Sequence, residues 1–163
     1  MIRIQPIKES LIEKKLRRLI KADNEHVSIG HFEESGLHYS GFTFPDLMKL
    51  HHNGVDGHTP PRPVLEHLFH SYRQILNHPG VLKAMKRYTD SRMLEADLVR
   101  MLRTVGEILG HEEVDIFGSN KLFKNAPGTI QLKGEDAPLV DTEELVNETS
   151  YKDSVTKVRI NVL

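Results

Sequence analysis

The sequence predicts an α+β fold: a small antiparallel sheet, with strands near 26–32 and 154–163, packed with several amphipathic helices. Three observations carry this. Apolar residues recur at helical spacing in 11–20, 64–76 and 94–109. Two short segments instead alternate apolar and polar residues with the period of a half-buried strand. The intervening stretches hold the prolines, glycines and asparagines that break both patterns.

Ser10 and Glu13 form a capping box at the start of the first helix, each side chain positioned to bond the other's free backbone N–H. Leu11, Ile12, Leu16, Leu19 and Ile20 line its apolar side, and Asp23-Asn24 should end it. "HVSIGHF" (26–32) then alternates Val27 and Ile29 with His26, Ser28 and Gly30, as a strand does. "EESGLHYSG" reads as a loop or hairpin, after which Thr43 caps a short helix over about 44–53 that stops at Asn53-Gly54. "VDGHTPPRP" is neither helix nor central strand, because three prolines remove donors and fix dihedrals.

Pro63 suits the first turn of the next helix, on which Val64, Leu65, Leu68, Phe69, Tyr72, Ile75 and Leu76 make one apolar face. Pro79 opens another helix with Val81, Leu82 and Met85 inward. The longest helix is expected over 91–109 on Leu94, Leu98, Leu102, Val105 and Leu109, with Gly110 as its stop and a weaker helical stretch at 112–123. Residues 125–150 read as loop-rich, with one helical turn capped by Thr142. Val158, Ile160 and Val162 alternate in a final strand whose natural partner is 26–32. The expectation is a single domain over 1–163, helical through 63–110, with no internal repeat.

Composition narrows the function classes. The 163 residues are 38% hydrophobic and 28% charged, with net charge −1. No apolar run approaches the ~20 residues of a membrane helix, and the first 21 residues lack the pattern of a secretory signal. The absence of cysteine excludes disulfides, thiolate metal sites and cysteine nucleophiles. Charge is uneven: residues 8–21 hold six basic side chains against two acids, and residues 133–148 hold six acids against one lysine. Such asymmetry suits contact between complementary surfaces, including copies of the same chain.

Five of the ten histidines (His51, His52, His58, His67, His70) fall within residues 50–70, which raises the possibility of a metal site. His67 and His70 point the same way on a helix, but nearly opposite the apolar face at ~100° per residue, toward solvent or another subunit. HLFH also lacks the HExxH arrangement of a zinc hydrolase. No phosphate loop, dinucleotide fingerprint or nucleophile elbow is present. Lys14, Lys15, Arg17 and Arg18 are candidate DNA-facing residues, although no aromatic interleaves them as a stacking platform would require. A histidine-dependent metal enzyme and an accessory DNA-binding module therefore stand as the alternatives.

Two segments resemble a known family. "VSIGHFEESGLHYSGFTFPDLMKLHHNG…TPPRPVLEHLF" (27–69) is similar to the strand, turn, short helix and Pro-Arg-Pro corner of tail-completion and neck proteins of tailed bacteriophages. "NAPGTIQLKGEDAPLVDTEELVNETSY" (125–151) is similar to that family's late P-x-T-I-x-x-K-x-x-x-x-P-L-x-D-T-G-x-L pattern. Together they cover about 70 of 163 residues in the expected order. One departure is visible: Glu143 stands where the family has glycine, which implies a different local turn with Thr142 as a helix cap.

The resemblance implies a virion component without catalysis, cofactor or metal, assembled in the host cytoplasm and not associated with a membrane. It would form a hexameric or dodecameric homo-oligomeric ring at the neck (collar) or tail terminus. Its partners would be portal or adaptor proteins on one side and tail tube, sheath or terminator proteins on the other. Double-stranded DNA would pass through its lumen without being gripped. Pro60, Pro61 and Pro63 would stiffen an exposed corner, and Arg62 would offer its planar fork to a neighbouring subunit. Asp136, Pro138, Asp141 and Thr142 would lie in a second docking loop, with Asp141 as the partner considered for Arg62.

Overall fold

In a computed structural model the fold is α+β, and the structure describes residues 10–22, 25–91, 95–140, 143–153 and 157–160. The order is α1 (Leu11–Ala22), β1 (Ser28–Gly30), a 3-10 turn (Glu33–Ser35), α2 (Phe44–Asn53), α3 (Val64–His70), α4 (Tyr72–Leu76) and α5 (Pro79–Asp90). There follow α6 (Glu95–Ile116), α7 (Pro127–Lys133), α8 (Glu144–Asn147), β2 (Ser150–Lys152) and β3 (Lys157–Arg159). The expected end of α1 at Asp23-Asn24 and the strand residues 154–156 and 161–163 lie outside the described residues.

Local signals place several elements directly. The Ser10 amide donates to Glu13 Oε2 at 2.6 Å and the Glu13 amide to Ser10 Oγ at 3.2 Å, the expected capping box. Thr43 Oγ1 accepts from the Asp46 amide at 3.2 Å, and α2 stops at Gly54. There the backbone has φ +71°, and a Cβ would stand 2.6 Å from the Thr59 carbonyl oxygen, so the corner over 55–61 folds back across a bare backbone.

The sheet is three-stranded and antiparallel in the order β1-β2-β3. Ile29 faces Tyr151, and Tyr151 faces Val158. The last strand therefore pairs with β2 and not, as expected, with β1. The resemblance implies a strand after residue 145, but the residue pattern of Thr149-Ser150-Tyr151 does not mark one, because Thr149 and Ser150 are small, polar and completely enclosed. With one large apolar residue, it shows no alternation to read.

Helix α6 packs against α3, α5, β1 and β2. It runs through Gly110 to Ile116, so that glycine is not a stop. Its role is close approach. A Cβ on Gly110 would lie 2.4 Å from both Cγ1 and Cδ1 of Ile160, and one on Gly106 would lie 2.7 Å from Val27 Cγ2 and 2.9 Å from Tyr151 Cγ. The two glycines let the sheet rest on the helix. Gly110→Ala should lower stability by about 1–3 kcal/mol in denaturant melts. In a Gly110→Ala/Ile160→Ala double variant the cost should fall short of the sum of the singles, because the clash is shared.

Other expectations change with packing. The helix foreseen from Pro63 divides at Ser71, whose Oγ donates to the His67 carbonyl at 3.2 Å, giving α3 and α4. Val64, Leu68 and Ile75 are buried, whereas Leu65, Phe69, Tyr72 and Leu76 from the same stripe stay exposed. On α5, Val81 is inward but Leu82 and Met85 are not. The loop-rich segment contains α7, which Pro127 starts and Gly134 ends in the left-handed conformation. Glu143 precedes α8 with φ 62° and ψ −1°, and the expected cap Thr142 lies outside the described residues. The main core joins Phe44, Leu47, Val64, Ile116, Phe117 and Leu145, so α2, α3, α6 and α8 share one interior.

Candidate functional site

The two segments with the phage resemblance meet at Arg62. Pro61 and Pro63 restrict the backbone on either side, and the Arg62 amide donates to the His51 carbonyl at 2.7 Å. The guanidinium turns inward. Its Nε donates to the Phe123 carbonyl at 3.0 Å, and Nη2 donates to Asn125 Oδ1 at 3.0 Å and to the Lys124 carbonyl at 3.4 Å. Asp136 completes the junction by accepting the Asn125 amide at 2.8 Å. Burial pushes the Arg62 pKa down, and the negative charge of Asp136 opposes that shift.

This corrects the reading of Arg62 as a fork offered to a neighbour: it is buried and holds its own chain's 123–125 turn. Of the other candidate interface residues, Pro61 is exposed, Pro60 and Pro63 are half-buried, and Pro138 is enclosed. Asp136 is half-buried against Asn125. Asp141 and Thr142 lie outside the described residues, and with them the suggested Arg62–Asp141 pair.

The histidines of 50–70 do not converge. His51 is half-buried, its pKa lowered first by burial and then by Arg62 and His38. His52 Nε2 stands 3.6 Å from Glu66 Oε1, and His58 is exposed on the turn. His70 is exposed with Nδ1 2.7 Å from the Glu66 carbonyl, while His67 is half-buried. Among the described residues, no three His, Asp or Glu side chains gather closely enough to hold a metal ion.

A buried acid was missed. Glu113 on α6 is fully enclosed, makes no hydrogen bond through either oxygen, and has its pKa pushed up to about 7 by burial. His31 Nδ1 lies 3.8 Å from its Oε1, and His31 Nε2, 2.6 Å from the Leu145 carbonyl, carries the hydrogen that it donates there. The carboxyl borders a pocket of about 420 Å³ whose other walls include Ile29, Met48, Lys49, His52 and Leu65. The signal was present in phase: Glu113 follows Leu109 by four residues and precedes Ile116 by three, on the stripe that faces inward.

A second depression, a groove of about 440 Å³, is lined in part by Arg62. Leu47 and His51 of α2, Leu139 and Leu145 line it together with Tyr39, Leu132, Glu143 and Glu144. Leu132 is 91% exposed and Tyr39 65%. Lys133, also in the groove, directs its ammonium onto the Ala137 and Val140 carbonyls.

On α1, Lys14, Lys15 and Arg17 are exposed and Arg18 is half-buried; Lys15 Nζ reaches the Thr89 carbonyl at 3.4 Å. Among the described residues, no helix is long and apolar enough to cross a membrane. No protein-family model, curated protein or solved structure matches the chain, so the functional reading rests on its motifs and geometry.

Proposed function

We propose that the protein is a non-enzymatic structural subunit of a tailed-bacteriophage virion, forming a ring at the neck or tail terminus that completes the tail or connector. The observation that carries this reading is the junction between the two resembling segments. Residues 27–69 and 125–151 are joined by β1–β2 pairing and by His31 on the Leu145 carbonyl. Arg62 adds a bond to Asn125.

Glu143 supports the same reading. The family pattern has glycine at this position, and Glu143 occupies the left-handed conformation that glycine enters without cost. The different turn expected from a glutamate is therefore not what is found: Glu143 holds a conformation that glycine would enter freely, at a strain of about 1–2 kcal/mol.

Portal or adaptor proteins and tail tube, sheath or terminator proteins are the partners this role needs. DNA would pass through the ring without sequence-specific contact. Native mass spectrometry and negative-stain microscopy of the full chain test the proposal, with connector or tail preparations added. The expected result is a hexameric or dodecameric ring, alone or on those particles. A protein that stays monomeric at every concentration and binds neither particle would overturn it.

A further inference from the structure

We propose that α1 of one copy of this chain docks in the Tyr39–Leu132–Glu144 groove of the next copy, a head-to-tail contact that rests on the assembly reading above. The first observation is the bare apolar side of α1. Leu11, Ile12, Leu16 and Ile20 are between 53% and 80% exposed. A helix of twelve residues is marginal in water, and helices in proteins draw most of their stability from packing an apolar face. The capping box fixes where α1 starts, but it covers none of that face.

The second observation is the groove itself. It joins an apolar floor, from Leu47, Leu139 and Leu145, to lips on which Leu132 and Tyr39 lie open to solvent. The groove also holds cations, but Arg62 and Lys133 are turned onto their own chain's acceptors and His38 stands 3.7 Å from Glu144. Glu143 is exposed and gives the groove an outward negative charge, while Lys14, Lys15, Arg17 and Arg18 give α1 positive charge beside its apolar stripe. Opposite charges around matching apolar surfaces select both partner and orientation.

Charge also decides against the other open apolar strip, Leu65, Phe69, Tyr72 and Leu76. That strip carries Arg73 and the acid Glu66. On the next helix Lys83 and Arg87 are exposed while Lys86 pairs with Asp90 at 3.5 Å, so the charge is mixed with basic groups in excess, the same sign as α1. The groove contact uses different surfaces on its two sides, so repeating it generates a ring or an open helix.

The lack of native cysteine makes the test direct. Leu16→Cys and Leu132→Cys variants are made in the full chain, and retention of the wild-type circular dichroism confirms folding. Under oxidation each variant alone should remain uncrosslinked. An equimolar mixture should give a disulfide-linked dimer, and the Leu16→Cys/Leu132→Cys double variant a ladder of multimers. Glu143→Lys with Glu144→Lys should weaken association at least tenfold, and Lys14→Glu with Arg17→Glu in the other copy should restore it.

A mixture that crosslinks no more than the single variants, in a protein that still forms rings, would overturn the groove contact and leave the assembly reading standing. A double variant that crosslinks only within one chain would overturn the contact between copies. A protein that neither crosslinks nor assembles would overturn both.

Discussion

Arg62→Ala should lower the free energy of unfolding by about 3–5 kcal/mol, the range for removing one partner from a buried charged network. The loss has several physical parts. The Phe123 carbonyl and Asn125 Oδ1 would each lose a charge-assisted donor at 3.0 Å in a nearly closed site. Asp136 would lose the cation opposing it, and the space of a buried guanidinium would open. Arg62→Lys should fall between wild type and alanine. Its single ammonium cannot reproduce the separate Nε and Nη2 directions that hold residues 123–125. Urea melts of both variants measure this, with exposed Pro61→Ala as a control expected to change little. An alanine cost below about 1 kcal/mol would show that Arg62 does not tie the two segments together.

That junction illustrates what the sequence made legible. Signals that act within one turn were readable as written: Ser10 with Glu13, Thr43 with Asp46, and Gly54 as a helix end. Each follows from the local need to satisfy backbone groups at a helix terminus. Signals that depend on a distant partner were ambiguous. Gly110 carries the same letter whether it ends a helix or admits Ile160 against one, and only the sheet's position separates the two. Arg62 between prolines looked presented, yet its partners lie about sixty residues away.

Weak periodicity hid other parts. In α7, Ile130 and Leu132 stand two apart, a strand-like spacing, because Leu132 is not packed in the chain's own core. At β2 the buried residues just before Tyr151 are Thr149 and Ser150, which no hydrophobic pattern marks. The apolar stripes of α1 and of 64–76 were legible, although the second is split by the break at Ser71, and amphipathicity alone cannot say whether the covering surface belongs to the same chain. In the candidate site, the histidine cluster was conspicuous and dispersed, while Glu113 was inconspicuous and enclosed.

Glu113→Gln should remove a pH dependence of stability that the wild-type protein carries between about pH 4.5 and 7. Burial raises this carboxyl from its ordinary 4.5 to about 7 in the folded chain. Between those values the folded state holds a proton that the unfolded state has released, so stability falls as pH rises. The favourable contribution is complete below pH 4.5 and is lost as pH passes through about 7. With each pKa unit worth about 1.4 kcal/mol, the full effect is about 3 kcal/mol. His51 works in the opposite direction: burial lowers its pKa, so its contribution to stability grows as pH rises toward its ordinary 6.5. The diagnostic quantity is therefore the difference between wild type and Glu113→Gln, measured by denaturant melts from pH 4 to 8, from which the His51 slope cancels. Wild type should lose ground to the variant between about pH 4.5 and 7 and run parallel to it beyond, because glutamine keeps the shape without an ionisable group. Parallel curves would mean that Glu113 ionises near its ordinary value in the folded chain.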